Sequence, residues 1–172
     1  MYSLRPARAD ELSAIQTIEQ RAATCFVALG LPAAAELPVQ TCESLRLACG
    51  AKRILVAVDG EDRPVAFAVF EATADGSVHL QELDVLPEHA GRGLGRRLIE
   101  AVAAWGVEAN LKTMTLTTFR DVPFNAPFYR RVGFRVLEEH ELTPRLARIR
   151  EQEREHGIDL APRVAMLRNL RA

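Results

Sequence analysis

The sequence predicts a mixed α/β protein in which helices flank a central, mixed and mostly antiparallel sheet. Segments with the two-residue alternation or the short apolar runs of strands are interleaved with segments that have the 3.6-residue spacing of amphipathic helices. Two pairs of predicted strands are joined by short connections that contain the turn sequences Asp59-Gly60 and Asp75-Gly76, as in hairpins. The predicted order begins βααβββαβαβ and therefore differs from the regular strand–helix alternation of a doubly wound parallel sheet.

The first half of the chain is predicted to contain four strands and two helices. Asp10 is expected to cap the first helix, because aspartate is a favoured N-cap residue. The helix would then place four apolar residues on one face: Leu12, Ile15, Ile18 and Ala22. The stretch Leu31–Leu37 is rich in Ala and Pro and is predicted to be a loop. The predicted elements are a strand at Tyr2–Pro6, a helix from Asp10 to about Phe26, a helix from about Val39 to Ala48, and strands at Arg53–Val58, Pro64–Ala72 and Ser77–Leu86.

The second half alternates helices with strands. The next helix carries an apolar stripe of Leu94, Leu98, Val102 and Trp105. The following strand alternates apolar residues with threonines, a pattern typical of strands. The predicted elements are a helix at Gly93–Glu108, a strand at Thr113–Thr118, a short helix at Asn125–Val132 that ends at Gly133, a strand at Arg135–Glu138, a polar and solvated helix at Thr143–His156, and a last strand at Val164–Arg168.

Composition and charge limit the classes of partner. The 172 residues suit one domain over positions 1–172, and the net charge of -1 predicts neither nucleic-acid nor membrane binding. No apolar run approaches the roughly 18 residues of a membrane span, and the start Met1–Pro6 lacks the features of a signal peptide. Cys25, Cys42 and Cys49 form no CxxC pair, so we expect buried free thiols, no metal site and a cytoplasmic protein.

A glycine-rich turn is the strongest local signal. In Ala90-Gly91-Arg92-Gly93-Leu94-Gly95, called the glycine loop below, alternate glycines join a predicted strand to a predicted helix. The first N–H groups of a helix lack internal partners and favour anions, so this turn is suited to a phosphate or pyrophosphate. The spacing differs from those of dinucleotide-binding and P-loop motifs. His89, just before the loop, is expected to be a surface residue.

The charge distribution favours the same kind of ligand. Between Glu88 and Arg135 there are eight basic and four acidic residues. No aromatic residues are interleaved with these arginines as in a single-strand nucleic-acid binder. A phosphorylated small molecule therefore fits this zone better than a nucleic acid.

Two motifs resemble those of the GNAT N-acetyltransferase superfamily. The glycine loop is similar to the family pattern [QR]-x-x-G-x-[GA], except that Ala90 replaces the usual Gln or Arg. The segment Asn125–Phe134 resembles the family's N-x-x-[FY]-Y-x-x-x-G-F helix. The two motifs follow in the expected order, and the resemblance covers roughly Ile54 to Leu137. It implies the GNAT fold and acetyl transfer from acetyl-CoA without a metal.

The resemblance also implies which residues bind the donor. The strand end Leu83, Asp84 and Val85 would pair with pantetheine, and the Val85 N–H would polarise the thioester carbonyl. Asn125 and Phe128 would contact the cofactor, although Asn125 is also a favoured helix N-cap. The pyrophosphate would be held by the loop amides of Gly91, Arg92, Gly93, Leu94, Gly95 and Arg96.

Catalytic roles follow from the needs of acetyl transfer. Tyr129 matches the family's general acid, since a phenol with a reference pKa of about 10 can donate a proton to a departing thiolate. Glu82 is the first candidate for the general base and His79 the second, with Asp84 nearby on the same strand. Period-2 counting puts Glu82 and Asp84 on one face and His79 on the other, unless a bulge changes the parity.

The acceptor substrate is the part of the reaction that the sequence determines least. We expect a primary amine of a small molecule, attacking the thioester directly because no Cys or Ser lies in a nucleophile motif. A protein or peptide amine and a non-catalytic acyl-CoA sensor remain alternatives, and a homodimer is left open. The segments Leu31–Leu37 and Arg120–Phe124 are expected to shape the acceptor pocket.

Overall fold

A computed structural model describes residues 1–170, and in this part of the chain seven strands form one sheet. The strands lie in the order β1-β2-β3-β4-β5-β7-β6. Four neighbouring pairs, β1–β2, β2–β3, β5–β7 and β6–β7, are antiparallel, whereas β4 and β5 are parallel. The mixed, mostly antiparallel sheet confirms the predicted fold class. The strands are β1 (Ser3–Pro6), β2 (Ile54–Val58), β3 (Pro64–Ala72), β4 (Ser77–Val85), β5 (Thr113–Phe119), β6 (Arg135–Val136) and β7 (Arg163–Asn169).

Six α-helices accompany the strands in residues 1–170. All five predicted helices are present, with boundaries shifted by no more than three residues. A further short helix occupies part of the Ala- and Pro-rich stretch that was expected to be a loop. The helices are α1 (Leu12–Ala23), α2 (Pro32–Ala35), α3 (Cys42–Gly50), α4 (Leu94–Glu108), α5 (Ala126–Arg131) and α6 (Pro144–Glu155).

The start of α1 differs from the sequence prediction. Asp10 does not cap the helix; it lies inside a 3-10 turn, Ala9–Glu11, that precedes α1. Glu11 occupies the N-cap position of α1 but makes no side-chain cap hydrogen bond to that helix. Its carboxylate closes the preceding 3-10 turn instead, by accepting the Arg8 N–H at 2.8 Å, and pairs with the Arg5 guanidinium at 2.6 Å. The predicted cap is therefore wrong, because the chain enters α1 through this 3-10 turn.

The described chain divides into two compact units. One consists of Met1–Glu71 and Leu80–Trp105, and the other of Ala72–His79 together with the chain from Gly106 onward. Because β3, β4 and α4 each contribute residues to both units, neither unit is a continuous stretch of sequence. A single acetyltransferase domain over residues 1–172 stays a prediction.

The core of the first unit forms on the centre of the sheet. Phe67 and Phe70 of β3 are almost fully buried, and the Phe70 and Trp105 rings pack edge-on with centroids 4.9 Å apart. The predicted apolar face of α1 is buried, as are Leu94 and Leu98 of α4. This packing holds the C-terminal half of β4 and the start of α4 in place.

The second unit contains a buried charged network. Glu153 of α6 is only 7% exposed, so the helix is not the wholly solvated element that its polar sequence suggested. Its carboxylate pairs with Arg150 and with Arg163 and accepts a hydrogen bond from Thr117. These partners lie on α6, β7 and β5, so the network joins three elements of this unit. Leu146, on the same helix, packs into a small core with Leu137 and Ala165.

Candidate active site

The predicted site residues fall into two groups, one in each unit. The first unit contains the donor-binding strand end, the glycine loop and the candidate base Glu82. The second unit contains His79, Asn125, Phe128 and Tyr129.

The glycine loop has the backbone shape of an anion site. After β4 ends at Val85, a 3-10 turn spans Pro87–His89, and Gly91 and Gly93 follow with φ of 73° and 74°. Side chains rarely adopt this left-handed conformation, which explains the alternate glycines. A Cβ at either glycine would meet no atom within 4 Å, so the space over the main chain is open. The loop therefore leaves its backbone accessible just before α4 begins.

The residues around the loop differ in exposure: Leu94 is buried, whereas three arginines are exposed. Leu94 is 1% exposed and packs into the core, so its side chain fixes the start of α4. Arg92 and Arg96 are exposed at the surface. Arg97 is also exposed, but its guanidinium donates to the Tyr2 carbonyl oxygen at 3.1 Å. The loop thus combines a fixed backbone with exposed positive side chains.

A pair of carboxylates lies at the end of β4. Burial raises the pKa of Asp84 well above its usual range, and the negative charges of Glu82 and Glu19 raise it further. Glu82 and Asp84 are alternate residues of β4, and the charge of one acts on the other. Like charges that share a site cannot both ionise readily, so the pair retains a proton to higher pH than an ordinary carboxyl group. A carboxylate with a raised pKa is suited to general base catalysis.

The segment after α1 adjoins these carboxylates. Cys25 lies in a 3-10 turn, Thr24–Leu29, and is half-buried. Burial raises the pKa of the Cys25 thiol, and the Asp84 charge raises it further. Glu19 of α1 is held by the backbone, since both of its carboxylate oxygens accept the Gln40 N–H at 3.1 and 3.0 Å.

His79 lies in a different environment. It is 5% exposed, on the parallel pair of β4 and β5, and its Nδ1 is hydrogen-bonded to Thr115 Oγ1 at 3.0 Å. Burial lowers the pKa of His79 to about 4, and the charge of Arg145 lowers it further. The imidazole is therefore a weak base enclosed by protein, which makes His79 poorly suited to act as a general base.

Asn125 precedes α5 without capping it. Its side chain makes no capping hydrogen bond; its Nδ2 donates instead to the buried Thr118 Oγ1 at 2.7 Å. Its Oδ1 is buried and has no hydrogen-bond partner among residues 1–170. A buried acceptor without a partner is costly, so this oxygen is suited to an N–H group of a bound ligand.

Tyr129 lies one turn further along α5. It is 8% exposed, and its ring packs against those of Phe128 at 5.2 Å and Phe134 at 5.7 Å between centroids. Its N–H donates to the Asn125 carbonyl oxygen at 2.9 Å, which places both residues on one helical turn. Aromatic packing holds the phenol, and Phe128 is half-buried beside it.

Residues 1–170 contain neither a candidate metal centre nor a candidate membrane span. No group of three His, Cys, Asp or Glu residues in this range is arranged to hold a metal ion. None of the helices described here has the length and apolar character needed to cross a membrane.

Comparison with known proteins identifies the family. The model of the acetyltransferase (GNAT) family matches residues 15–134, which is well over half of the chain. The chain belongs to this family. The match includes the glycine loop and the Asn125–Phe134 motif, so the resemblance found in the sequence is confirmed. The protein is an acyltransferase, and N-acetylation with acetyl-CoA as the donor is confirmed at the level of the family.

Solved structures share the fold. One is N-acetylglutamate synthase from Neisseria gonorrhoeae complexed with coenzyme A and N-acetyl-glutamate, with a TM-score of 0.75, 16% identity and coverage of 100% of this chain and 36% of that one. The PaiA N-acetyltransferase from Thermoplasma acidophilum, in complex with coenzyme A, has a TM-score of 0.70 and 13% identity, and the match covers 98% of this chain and 99% of that one. The ribosomal-protein-S18-alanine N-acetyltransferase from Escherichia coli has a TM-score of 0.68 and 16% identity, and the match covers 100% of this chain and 96% of that one. The chain thus spans about a third of the synthase.

Proposed function

We propose that the protein transfers an acetyl group from acetyl-CoA to a primary amine of a small molecule by direct attack, and that residues 1–172 act as one domain. The observation that carries the proposal is the pair of neighbouring carboxyls Glu82 and Asp84 at the end of β4, where burial and the charge of Glu82 raise the pKa of Asp84. Such a pair is suited to removing a proton from an acceptor ammonium.

Donor binding is assigned to the strand end and the glycine loop. In this proposal the main chain of Leu83–Val85 pairs with pantetheine, and the Val85 N–H polarises the thioester carbonyl. The loop amides from Gly91 to Arg96 hold the pyrophosphate, which the open space over Gly91 and Gly93 supports. The unpartnered Asn125 Oδ1 accepts an N–H of the cofactor arm.

Direct attack is supported by the state of the cysteines. A thiol is a good nucleophile only as the thiolate. Cys25 is the cysteine next to the carboxylate pair, but burial and Asp84 raise its pKa and keep it protonated. Cys42 donates its thiol hydrogen to Gln16 Oε1, and Cys49 donates to the Ala7 carbonyl. The amine itself is therefore the attacking group.

The choice of a small acceptor rests on the segment beside Asp84. The 3-10 turn at Thr24–Leu29 brings Cys25 close enough for its thiol to feel the Asp84 charge. The turn continues into α2, where Ala34 is buried. A base flanked by the protein's own chain at Cys25 suits a compact amine better than a polypeptide, which needs an open groove.

A screen of acceptor amines tests the proposal. Purified protein, acetyl-CoA and a library of small amines, amino acids and short peptides are combined, and the release of free CoA thiol is followed. Turnover with small amines supports the proposal. Turnover with peptides alone would favour a protein acetyltransferase, and acetyl-CoA binding without any turnover would favour a sensor.

Acetyl-CoA is expected to raise the thermal unfolding midpoint. A ligand that binds only the folded state stabilises it by mass action, by about 2.7 kcal/mol at a hundred times Kd. For a chain of this length that corresponds to roughly 5–10 °C, measured by differential scanning fluorimetry. NADH is the control and should give no shift. An unchanged midpoint at saturating acetyl-CoA would remove the donor assignment.

Tyr129→Phe is expected to lower turnover by about 100-fold, near the lower end of what a positioned proton donor contributes. The phenylalanine keeps the packing against Phe128 and Phe134 but cannot protonate the leaving thiolate. The Kd for acetyl-CoA should stay within about twofold, because the donor is held mainly by backbone groups. Steady-state kinetics and calorimetric titration measure the two quantities. Unchanged turnover would exclude Tyr129 from the reaction.

A further inference from the structure

Tyr2, just before β1, contacts several residues around the glycine loop. A hydrogen bond of 2.7 Å joins the Tyr2 hydroxyl to His89 Nδ1, and the two rings meet edge-on with centroids 5.7 Å apart. The Arg92 guanidinium lies 6.0 Å from the centroid of the Tyr2 ring. Arg97, on the far side of the loop, donates to the Tyr2 carbonyl oxygen at 3.1 Å. One tyrosine therefore contacts residues before, within and after the loop.

The same turn is also held from α1. Glu88 pairs with Arg21 at 3.0 Å, so the 3-10 turn Pro87–His89 is fixed by Arg21 on one neighbour and by Tyr2 on another. Both members of the Glu88–Arg21 pair are about half exposed, and exposed ion pairs contribute little. The half-buried Tyr2–His89 contact is therefore the stronger restraint on this turn.

The loop needs such a restraint because it cannot supply one itself. Glycine loses more conformational freedom on ordering than any other residue. A Cβ atom placed on Gly91 or Gly93 would have no neighbouring atom within 4 Å, so packing against other side chains does not fix these two residues. A binding loop that is ordered before the ligand arrives binds more tightly, because less entropy is lost on binding.

We propose that Tyr2 is a positioning residue for the diphosphate of the acyl donor: through His89 and Arg92 it holds the glycine loop in the shape that presents its N–H groups. The inference rests on the proposed donor site and adds a residue that lies outside both sequence motifs. It also gives a role to His89, which was expected to be only a surface residue.

Tyr2→Phe tests this role because it removes only the hydroxyl group. A hydrogen bond contributes about 0.5–1.5 kcal/mol, so the KM and Kd for acetyl-CoA should rise about 3- to 10-fold while kcat is unchanged. With S-acetylpantetheine, a donor that has the thioester arm but no phosphate, kcat/KM should equal that of the wild type. An equal loss with both donors, or no loss with either, would overturn the proposal.

A double-mutant cycle keeps the test decisive. His89→Phe keeps an edge-on ring but removes the same hydrogen bond, so it should reproduce the effect of Tyr2→Phe. The double variant should be no weaker in acetyl-CoA binding than either single variant, because both remove one interaction. Additive losses would show that the two residues act separately and would contradict the proposal.

Two variants serve as matched controls. Tyr129→Phe, the same substitution at the only other tyrosine, should lower kcat and leave the acetyl-CoA Kd unchanged, the reverse of the pattern at Tyr2. Ser3→Ala, at an exposed neighbour of Tyr2, should alter neither quantity. If the wild type binds no acetyl-CoA, the proposed function itself fails. If it binds and Tyr2→Phe binds equally well, only the role of Tyr2 fails.

Discussion

Glu153→Ala is expected to lower the free energy of unfolding by about 3–5 kcal/mol, the cost of removing one partner from a buried ion pair. The Arg150 and Arg163 side chains are only 11% and 12% exposed, so the substitution leaves two cations largely shielded from water. The Thr117 hydroxyl loses its acceptor as well. Urea unfolding, followed by circular dichroism, measures the change.

The control is Glu151→Ala, on an exposed position of the same helix, which should change the stability by less than about 0.5 kcal/mol. Equal changes in the free energy of unfolding at the two positions would show that the buried network adds no stability beyond that of an exposed glutamate. Glu153→Gln should lie between them, since it keeps hydrogen bonds but not the charge.

The pH dependence of this effect has a definite sign. Burial raises the pKa of Glu153, but the Arg163 charge and the hydrogen bonds from Thr117, Arg163 and Arg150 outweigh it, and the net pKa is lowered. A lowered pKa stabilises the fold above the pKa of the unfolded chain, and this contribution is lost as the pH falls through the lower, folded value. The difference between wild type and Glu153→Ala should therefore be largest near neutral pH and shrink in acid.

The fold was predictable because it rests on local patterns. The strand Pro64–Ala72 and the buried face of α1 follow from residue periodicity, which the sequence displays directly. The 3-10 turn before α1 and the burial of Glu153 depend on partners that lie on other elements. Arg5 of β1 pairs with Glu11 of that turn, and Arg163 of β7 pairs with a glutamate of a polar helix in the interior. Such pairings cannot be derived from the spacing of residues along one element.

The candidate site divides in the same way. The glycine loop was found because its backbone conformation requires glycines, and this requirement is visible in the sequence. The environment of each titratable group was not visible. His79 and Asp84 lie on one strand, yet burial lowers the pKa of the first and raises that of the second. Burial disfavours the charged form of either group, so the direction depends on whether that form is a cation or an anion.

Asp84→Asn is expected to lower turnover by about 10²- to 10⁴-fold, the usual contribution of a positioned base, and to raise the thermal stability. Burial and the charges of Glu82 and Glu19 raise the pKa of Asp84, so the folded state favours its protonated form. The protonated Asp84 contributes stability that is fully present below the pKa of this residue in the unfolded chain. That contribution is lost as the pH rises through the higher pKa of Asp84 in the folded state. Asparagine stays neutral, so its advantage in stability should grow with pH.

The two readouts of Asp84→Asn separate catalysis from folding. A variant that is inactive yet melts at a higher temperature has lost chemistry and not structure, as expected for a group kept at a cost in stability. Full turnover of the variant at neutral pH would show that Asp84 is not part of the general base. Glu82→Gln provides the companion test: without the neighbouring negative charge the pKa of Asp84 should fall, and the ascending limb of the pH profile of kcat/KM should move to lower pH. An unmoved limb would show that the carboxylates do not act as a pair.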